Sequence, residues 1–290
     1  ERTVTNVSKK RATWRASVEG LDGLDVKVEP SVLTLRPGQS ATYTVTFTAT
    51  PQSAFGSYAQ GYLTWQGTTE SASTVRSPVA VRPVAVAAPD EVHADAGADS
   101  ITIDVTSGFA GTMTTAVKGL APGTVTGASA QNTGGGDFTA GDPRNHTQEL
   151  TVPEGTTLTR VELVPGNPND DLDLFITEVG GTRPLLSSAS GTAAERITTT
   201  KLAPGTYTVH VQAWGVEGGA ESTTFDVREF LVGDADAGNL VLDPSSAEVT
   251  PGQQVTFTGA LTVDDATPYL GWVRFSNGAE EAGRTIVSVG

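Results

Sequence analysis

The residues with most chemical potential in this sequence form one acidic run, Asn167-Pro168-Asn169-Asp170-Asp171-Leu172-Asp173-Leu174-Phe175. Leu172 and Leu174 alternate as in a strand, which sends Asp171 and Asp173 together to the opposite face. Two carboxylates beside a turn carrying Asn167, Asn169 and Asp170 offer hard oxygens to calcium. Asp170, Asp171 and Asp173 are therefore the candidate ligands. The run lacks the spacing of an EF-hand loop. The competing reading is that Asp171 and Asp173 accept hydrogen bonds from backbone amides of adjoining turns and fix the strand without an ion. A second acidic group, Asp234, Asp236 and Asp243, flanks an expected linker and reads as solvated.

Other reactive chemistry is sparse. His93, His146 and His210 are too far apart in sequence to form a local metal pair, and His210 alternates with Val209 and Val211, facing away from them. No serine sits in a G-x-S-x-G elbow. Cysteine is absent, which excludes disulfides, zinc–thiolate sites and a cysteine nucleophile. No catalytic residue is assigned. The formal charge of −15 lets the surface repel nucleic acid, so nucleic acid is not an expected partner. No stretch is long and apolar enough to span a membrane. Trp14, Trp65, Trp214 and Trp272 are spread along the chain and are expected to anchor cores or inter-domain contacts. Asn6-Val7-Ser8 and Asn145-His146-Thr147 fit the glycosylation sequon, a short and weak signal.

The elements that must position these residues are strands. Apolar residues make up only 37% of the chain while glycine (33) and proline (16) are plentiful, which suits short strands joined by tight turns. Strands are expected at Arg2–Val7, Thr13–Val18, Asp25–Val28, Val32–Leu35, Thr42–Thr48, Gly61–Trp65 and Val75–Val81, with Tyr43, Val45 and Phe47 facing inward. That density of short strands over 1–86 is the pattern of an immunoglobulin-like or fibronectin III-like sandwich. A boundary falls at Val84–Asp90. The second region, 87–232, carries the acidic run and a glycine-rich stretch, Gln131–Asp142, expected to be a mobile loop. The last, 233–290, is short for an independent sandwich and is expected to lean on its neighbour.

Two echoes run along the chain. Pro30-Ser31, Pro37-Gly38-Gln39 and Tyr43 recur at a constant offset as Pro244-Ser245, Pro251-Gly252-Gln253 and Phe257. This is either convergent turn-then-strand chemistry or a duplicated sandwich motif. Leu120-Ala121-Pro122-Gly123-Thr124 and Leu202-Ala203-Pro204-Gly205-Thr206 echo likewise, as turns feeding strands.

Arg2-Thr3-Val4-Thr5-Asn6-Val7, Val28-Glu29-Pro30-Ser31, Thr44-Val45-Thr46-Phe47, Gly61-Tyr62-Leu63-Thr64-Trp65 and Val75-Arg76-Ser77-Pro78-Val79-Ala80-Val81 follow one another in order. On these motifs, residues 1–86 resemble the fibronectin III-like domain that follows the catalytic domain of subtilisin-like serine peptidases. The middle region is similar to a pre-peptidase C-terminal-type sandwich through Asp171–Ile176, Ser187–Gly191 and Ala203–Val209. The last 50 or so residues resemble the terminal immunoglobulin-like module of the same long bacterial enzymes.

The fold expected is all-β, in tandem β-sandwiches: fibronectin III/immunoglobulin-like over 1–86, jelly-roll-like over 87–232, and a short immunoglobulin-like module over 233–290. The resemblance implies the non-catalytic C-terminal extension of a secreted peptidase. Its partners would be the catalytic domain of the same polypeptide and, beyond it, protein substrate or a cell-envelope polymer. The family's catalytic residues have no counterparts here: the only methionine, Met113, lies in Gly111-Thr112-Met113-Thr114 and not in the family's serine motif. No cofactor is required, and calcium is the one for which residues are available. The rival reading is a free-standing extracellular adhesive or carbohydrate-binding protein, which would cluster exposed aromatics on one face.

Overall fold

The computed structural model describes residues 1–70, 72–278 and 280–290, and they form an all-β protein. Threonine- and valine-rich segments alternate between core and solvent and pair antiparallel almost throughout, as half-buried pleated surfaces do. The first seven strands are β1 (Arg2–Thr5), β2 (Ala12–Gly20), β3 (Leu24–Glu29), β4 (Val32–Leu35), β5 (Ser40–Ala49), β6 (Ala59–Gly67) and β7 (Val75–Val81). They build two sheets, β1-β5-β3 and β4-β2-β6-β7, which face each other across Leu33, Leu35, Tyr43, Leu63 and Trp65. Tyr43 meets Trp65 edge to face, with ring centroids 5.1 Å apart. Phe47, expected inside, is 37% exposed, because it lies beyond the end of this core.

The next strands are β8 (Val86–Ala87), β9 (Glu91–Ala94), β10 (Ser100–Ser107) and β11 (Gly111–Pro122). There follow β12 (Thr124–Gln131), β13 (His146–Val152), β14 (Leu158–Pro165), β15 (Asp171–Glu178), β16 (Leu186–Ser188), β17 (Arg196–Thr199), β18 (Gly205–Gly215) and β19 (Ser222–Val232). The last five are β20 (Leu240–Asp243), β21 (Ser246–Val249), β22 (Gln254–Leu261), β23 (Tyr269–Asn277) and β24 (Glu280–Val289).

Their pairing corrects the expected division into 87–232 and 233–290. Strands β8 to β11 join β20 to β24 in one sandwich, with sheets β20-β22-β10-β8 and β21-β11-β23-β24-β9. Its core includes Ile103, Met113, Leu120, Phe257, Phe275 and Val287. Strands β12 to β19 form a separate sandwich, with sheets β12-β19-β14-β17 and β13-β18-β15-β16 around Leu150, Leu172, Leu174, Val209, Val211 and Val227. The middle sandwich is thus inserted into the terminal one, between β11 and β20. The physical reason is the size of the last segment. The five strands of the last segment are too few to bury a core alone, and they pair with β10 and β11, which precede the insert.

The host sandwich repeats the first one strand for strand. β10, β11 and β20 to β24 occupy the places of β1 to β7, and β8 and β9 are added at the edges. The turn before β5 is closed by Gln39, whose Oε1 accepts from the Arg36 amide at 3.0 Å; before β22, Gln253 Oε1 accepts from the Thr250 amide at 3.0 Å. Asn6 and Ser107 hold these two turns through matching pairs of backbone hydrogen bonds. The Tyr43–Trp65 pair is matched by Phe257–Phe275 at 5.5 Å. A Cβ on Gly61 would lie 2.3 Å from the Glu19 carbonyl oxygen, and one on Gly271 2.4 Å from that of Lys118. Both glycines permit the same close strand approach. The duplicated motif is the alternative the structure supports.

The sandwiches are joined by packed contacts. Leu158, Phe230 and Val232 of the insert share a small core with Leu270 and Trp272 of the host. The Phe230 ring lies so close to Gly123 that a Cβ there would sit 2.5 Å from a ring carbon. Arg160, 2% exposed, reaches from β14 to Glu91 on β9 with two parallel hydrogen bonds of 2.8 Å. Burial would raise the Glu91 carboxyl, but the hydrogen bonds and charge of Arg160, with Arg196, outweigh it and hold the pKa below its usual value. Between the first sandwich and the host, Phe55 packs against the host core and the Gly56 amide donates to Pro83 O at 2.8 Å.

Candidate functional site

The acidic run opens β15. Leu172, Leu174 and Ile176 enter the core of the insert, so Asp171, Asp173, Phe175 and Thr177 share the outer face of sheet β13-β18-β15-β16. Opposite them on β18, Gln212 pairs with Asp173 and His210 with Phe175. This outer face is covered, not open. The segment 132–145 lies over it like a strap. Phe138 stacks on Phe175 with centroids 4.0 Å apart and meets His210 edge-on at 5.3 Å. The Thr133 and Gly135 amides donate to Ala213 O and Trp214 O at 2.8 and 2.7 Å. Gln212 Nε2 donates to Thr133 Oγ1 at 3.1 Å and to Gly136 O at 3.4 Å. The glycine-rich stretch expected to be mobile is therefore fastened down. Its three consecutive glycines, all at positive φ, let the backbone lie flat on the sheet.

Under the strap, Asp173, His210 and Gln212 are buried. Burial, then the charges of Asp171 and Glu195, push the Asp173 carboxyl up to about 6. Burial and Glu195 raise Asp171 as well, and burial lowers His210. Glu195, itself buried, is held by the Ser188 and Ser190 hydroxyls and by the Ser190 amide at 2.9 Å.

Asp170 does not join its neighbours. It is 2% exposed, and its Oδ1 accepts from the Glu217 amide at 2.9 Å and from Asn167 Nδ2 at 3.2 Å. The Glu217 carboxylate in turn accepts from Asn167 and Asn169, each at 3.0 Å, and these bonds lower its pKa. Turn bracing of the kind considered for Asp171 and Asp173 is performed by Asp170. Among the described residues, no group of three or more His, Cys, Asp or Glu side chains is placed to hold a metal. A cation at Asp171 and Asp173 would need neutral oxygens to complete its shell.

The other singled-out residues are dispersed. His93 meets Ser288 Oγ at 3.1 Å, and His146 contacts Gln148 Oε1 at 2.9 Å. Asp234 pairs with Lys118 at 2.9 Å, and Asp236 accepts from the Gly238 amide. Asn6 of the first sequon is 2% exposed and donates to Lys10 O and Leu35 O. Trp65 and Trp272 are buried, Trp14 donates to Ser73 O at 3.0 Å, and Trp214, 44% exposed, lies against Gly135. Glu195 and Gln212, which lie beside Asp173, were not expected there. Glu195 carried a signal, a lone carboxylate at the start of a strand. The Gln212 amide carried none until register placed it opposite Asp173.

Residues 1–81 match the family model described as the fibronectin type-III domain. Among solved structures, the chain is similar to tripeptidyl peptidase 2, with 9% identity and a TM-score of 0.30 over 99% of this chain and 28% of that one. It is similar to the secreted serine protease VesC from Vibrio cholerae, with 9% identity and a TM-score of 0.22 over 79% of this chain and 46% of that one. A third likeness is to carbohydrate-binding modules of the β-sandwich superfamily, with 11% identity and a TM-score of 0.16 over 92% and 96% of the two chains. The chain thus spans 28% and 46% of the two peptidases it is compared with. TM-scores this low establish no common fold over the full chain.

Proposed function

We propose that this chain is the non-catalytic C-terminal extension of a secreted subtilisin-like serine peptidase, which stabilises the catalytic domain and holds substrate near it. The observation that carries the reading is the fibronectin type-III match over 1–81, on the same segment whose ordered motifs resemble the domain following the catalytic unit of those enzymes. The packed junctions support it. The buried Arg160–Glu91 pair and the core shared by Phe230 and Trp272 make a stiff arm, suited to holding another domain at a set distance. The mechanism is packing and local concentration, not bond chemistry.

The test is to join this chain to a subtilisin-type catalytic domain and follow thermal inactivation of peptidase activity. The fused enzyme is expected to lose activity several-fold more slowly than the catalytic domain alone. Equal rates, with no binding between the separate pieces by calorimetry, would leave the arm without the proposed role.

A further inference from the structure

The seam between the two sheets is closed in one copy of the frame and open in the other. In the first sandwich β1 and β7 are both edges, in the orders β1-β5-β3 and β4-β2-β6-β7. In the host the matching strands, β10 and β24, are each flanked by an added strand, β8 along β10 and β9 along β24. Val86 of β8 is buried there as part of the host core. Backbone pairing holds it: Thr106 lies opposite Ala87, and the Gly108 amide donates to Ala85 O at 2.8 Å.

Among the described residues, no strand pairs with the outer edge of β1. Asn6 turns its amide and carbonyl to Gln39 and Gly38, just as Ser107 turns its own to Gln253 and Gly252. Alternation along the strand therefore aims the Thr5 amide and carbonyl outward, at the place where Thr106 meets Ala87. The Val7 amide, matching that of Gly108, makes no backbone hydrogen bond. Beside this edge a cavity of about 280 Å³ opens between the sheets, lined by Val4, Trp14, Leu33, Leu35, Trp65 and Val75 among others. Ser8 also lines it, where the host has the buried Phe109, and leaves room that the phenyl ring takes in the host. Val75 stands where the host has Gly283, whose Cβ would lie 3.0 Å from that of Val86, so the two seats differ in outline. Trp65, at the place of Phe275, has a buried Nε1 with no hydrogen-bond partner.

We propose that this seam receives an extended strand of a partner polypeptide, paired antiparallel with β1 through Thr5 and Val7, with an aliphatic side chain laid into the cavity. The host shows the arrangement with its own Ala85-Val86-Ala87. A strand answers both needs of the site, since it pairs the free edge and fills the apolar space, whereas a purely apolar ligand would leave the edge unpaired. Lys9 and Lys10 are exposed just beyond Ser8. They face the amino-terminal end of an antiparallel partner and favour acidic residues there. This inference stands apart from the peptidase reading.

The experiment is calorimetric titration of the full chain with a capped synthetic peptide, two glutamates followed by the sequence of residues 83–90. At about tenfold excess over the dissociation constant, the first sandwich should melt about 5–10 °C higher, and the Thr5 and Val7 amides should exchange with deuterium more slowly by NMR. Val86→Asp in the peptide should weaken binding at least about tenfold, because a charge would enter the cavity. Thr5→Pro in the chain removes an amide that β5 does not use, and should weaken binding by roughly the same factor. Ala87→Pro in the peptide removes the reciprocal bond without touching the fold of the chain, and the same loss is expected. Three results would overturn the proposal. They are no binding at about 1 mM peptide, binding indifferent to Ala87→Pro, or sedimentation of a dimer that Thr5→Pro dissolves, which would give the seam to a second copy of this chain.

Discussion

The first sandwich and the host sandwich place equivalent residues in opposite surroundings. Tyr62 and Trp272 occupy the same position on the same sheet, each beneath an arginine, with Arg76 at 3.3 Å and Arg284 at 4.4 Å from the ring centroid. Tyr62 is 38% exposed, whereas Trp272, covered by Phe230 and its neighbours, is 7% exposed. The cause lies in one connection. Between β2 and β3 the chain turns in three residues, Leu21 to Gly23, but between β11 and β20 the same turn admits the whole of 124–232. Frame and turn therefore have separate duties. The frame repeats its aromatic pair, its glutamine-closed turn and its close strand crossing, while the connection carries an added sandwich with the buried acidic cluster around Asp173.

The comparison can be broken most severely at the strand crossing. Gly61→Ala and Gly271→Ala should each destabilise their sandwich by about 3 kcal/mol, because the added Cβ meets a backbone carbonyl that cannot move away. Denaturant unfolding should give similar losses for both, and tolerance of one alone would separate the two frames. A sharper contrast lies at the covered ring. Trp272→Ala should cost about 3 kcal/mol, and Tyr62→Ala less than about 1 kcal/mol. Equal costs in the same unfolding experiment would mean that coverage by the insert adds nothing. The smallest effect is expected at the turns: Gln39→Ala and Gln253→Ala should each cost about 1 kcal/mol, from loss of a side-chain acceptor for one backbone amide.

Strands were largely legible in the sequence, because alternation is local. Asp171-Leu172-Asp173-Leu174 fixes which side chains share a face without reference to anything else. Partnership between strands was not legible, since no residue in β10 states that it will pair with β22 rather than with β13. A signal did exist. Val117-Lys118-Gly119-Leu120 repeats Val18-Glu19-Gly20-Leu21, and Gly271-Trp272-Val273-Arg274-Phe275 repeats Gly61-Tyr62-Leu63-Thr64-Trp65. Taken with the Pro30 and Pro244 echo, these place the copies of β2 and β6 on either side of an intervening stretch, which is what an insertion looks like in one dimension. The candidate site was half legible. Carboxylates advertise themselves by type, but Gln212 is a neutral amide, and only register sets it opposite Asp173.

The nesting of one sandwich within another also sets an order in time. Before the insert is made, β10 can pair only with the two-residue β8, and its main partner β22 arrives only after the chain has been extended through the entire insert. At about 5–20 residues per second of synthesis, the first half of the host waits on the order of ten seconds with β11 and one edge of β10 unpaired. The insert, whose strands are contiguous in sequence, has every partner it needs before the host does. It therefore folds between two halves of an unfinished neighbour, and its own ends, once fixed, bring β11 and β20 together. The insert is in this sense the jig on which the surrounding frame is closed.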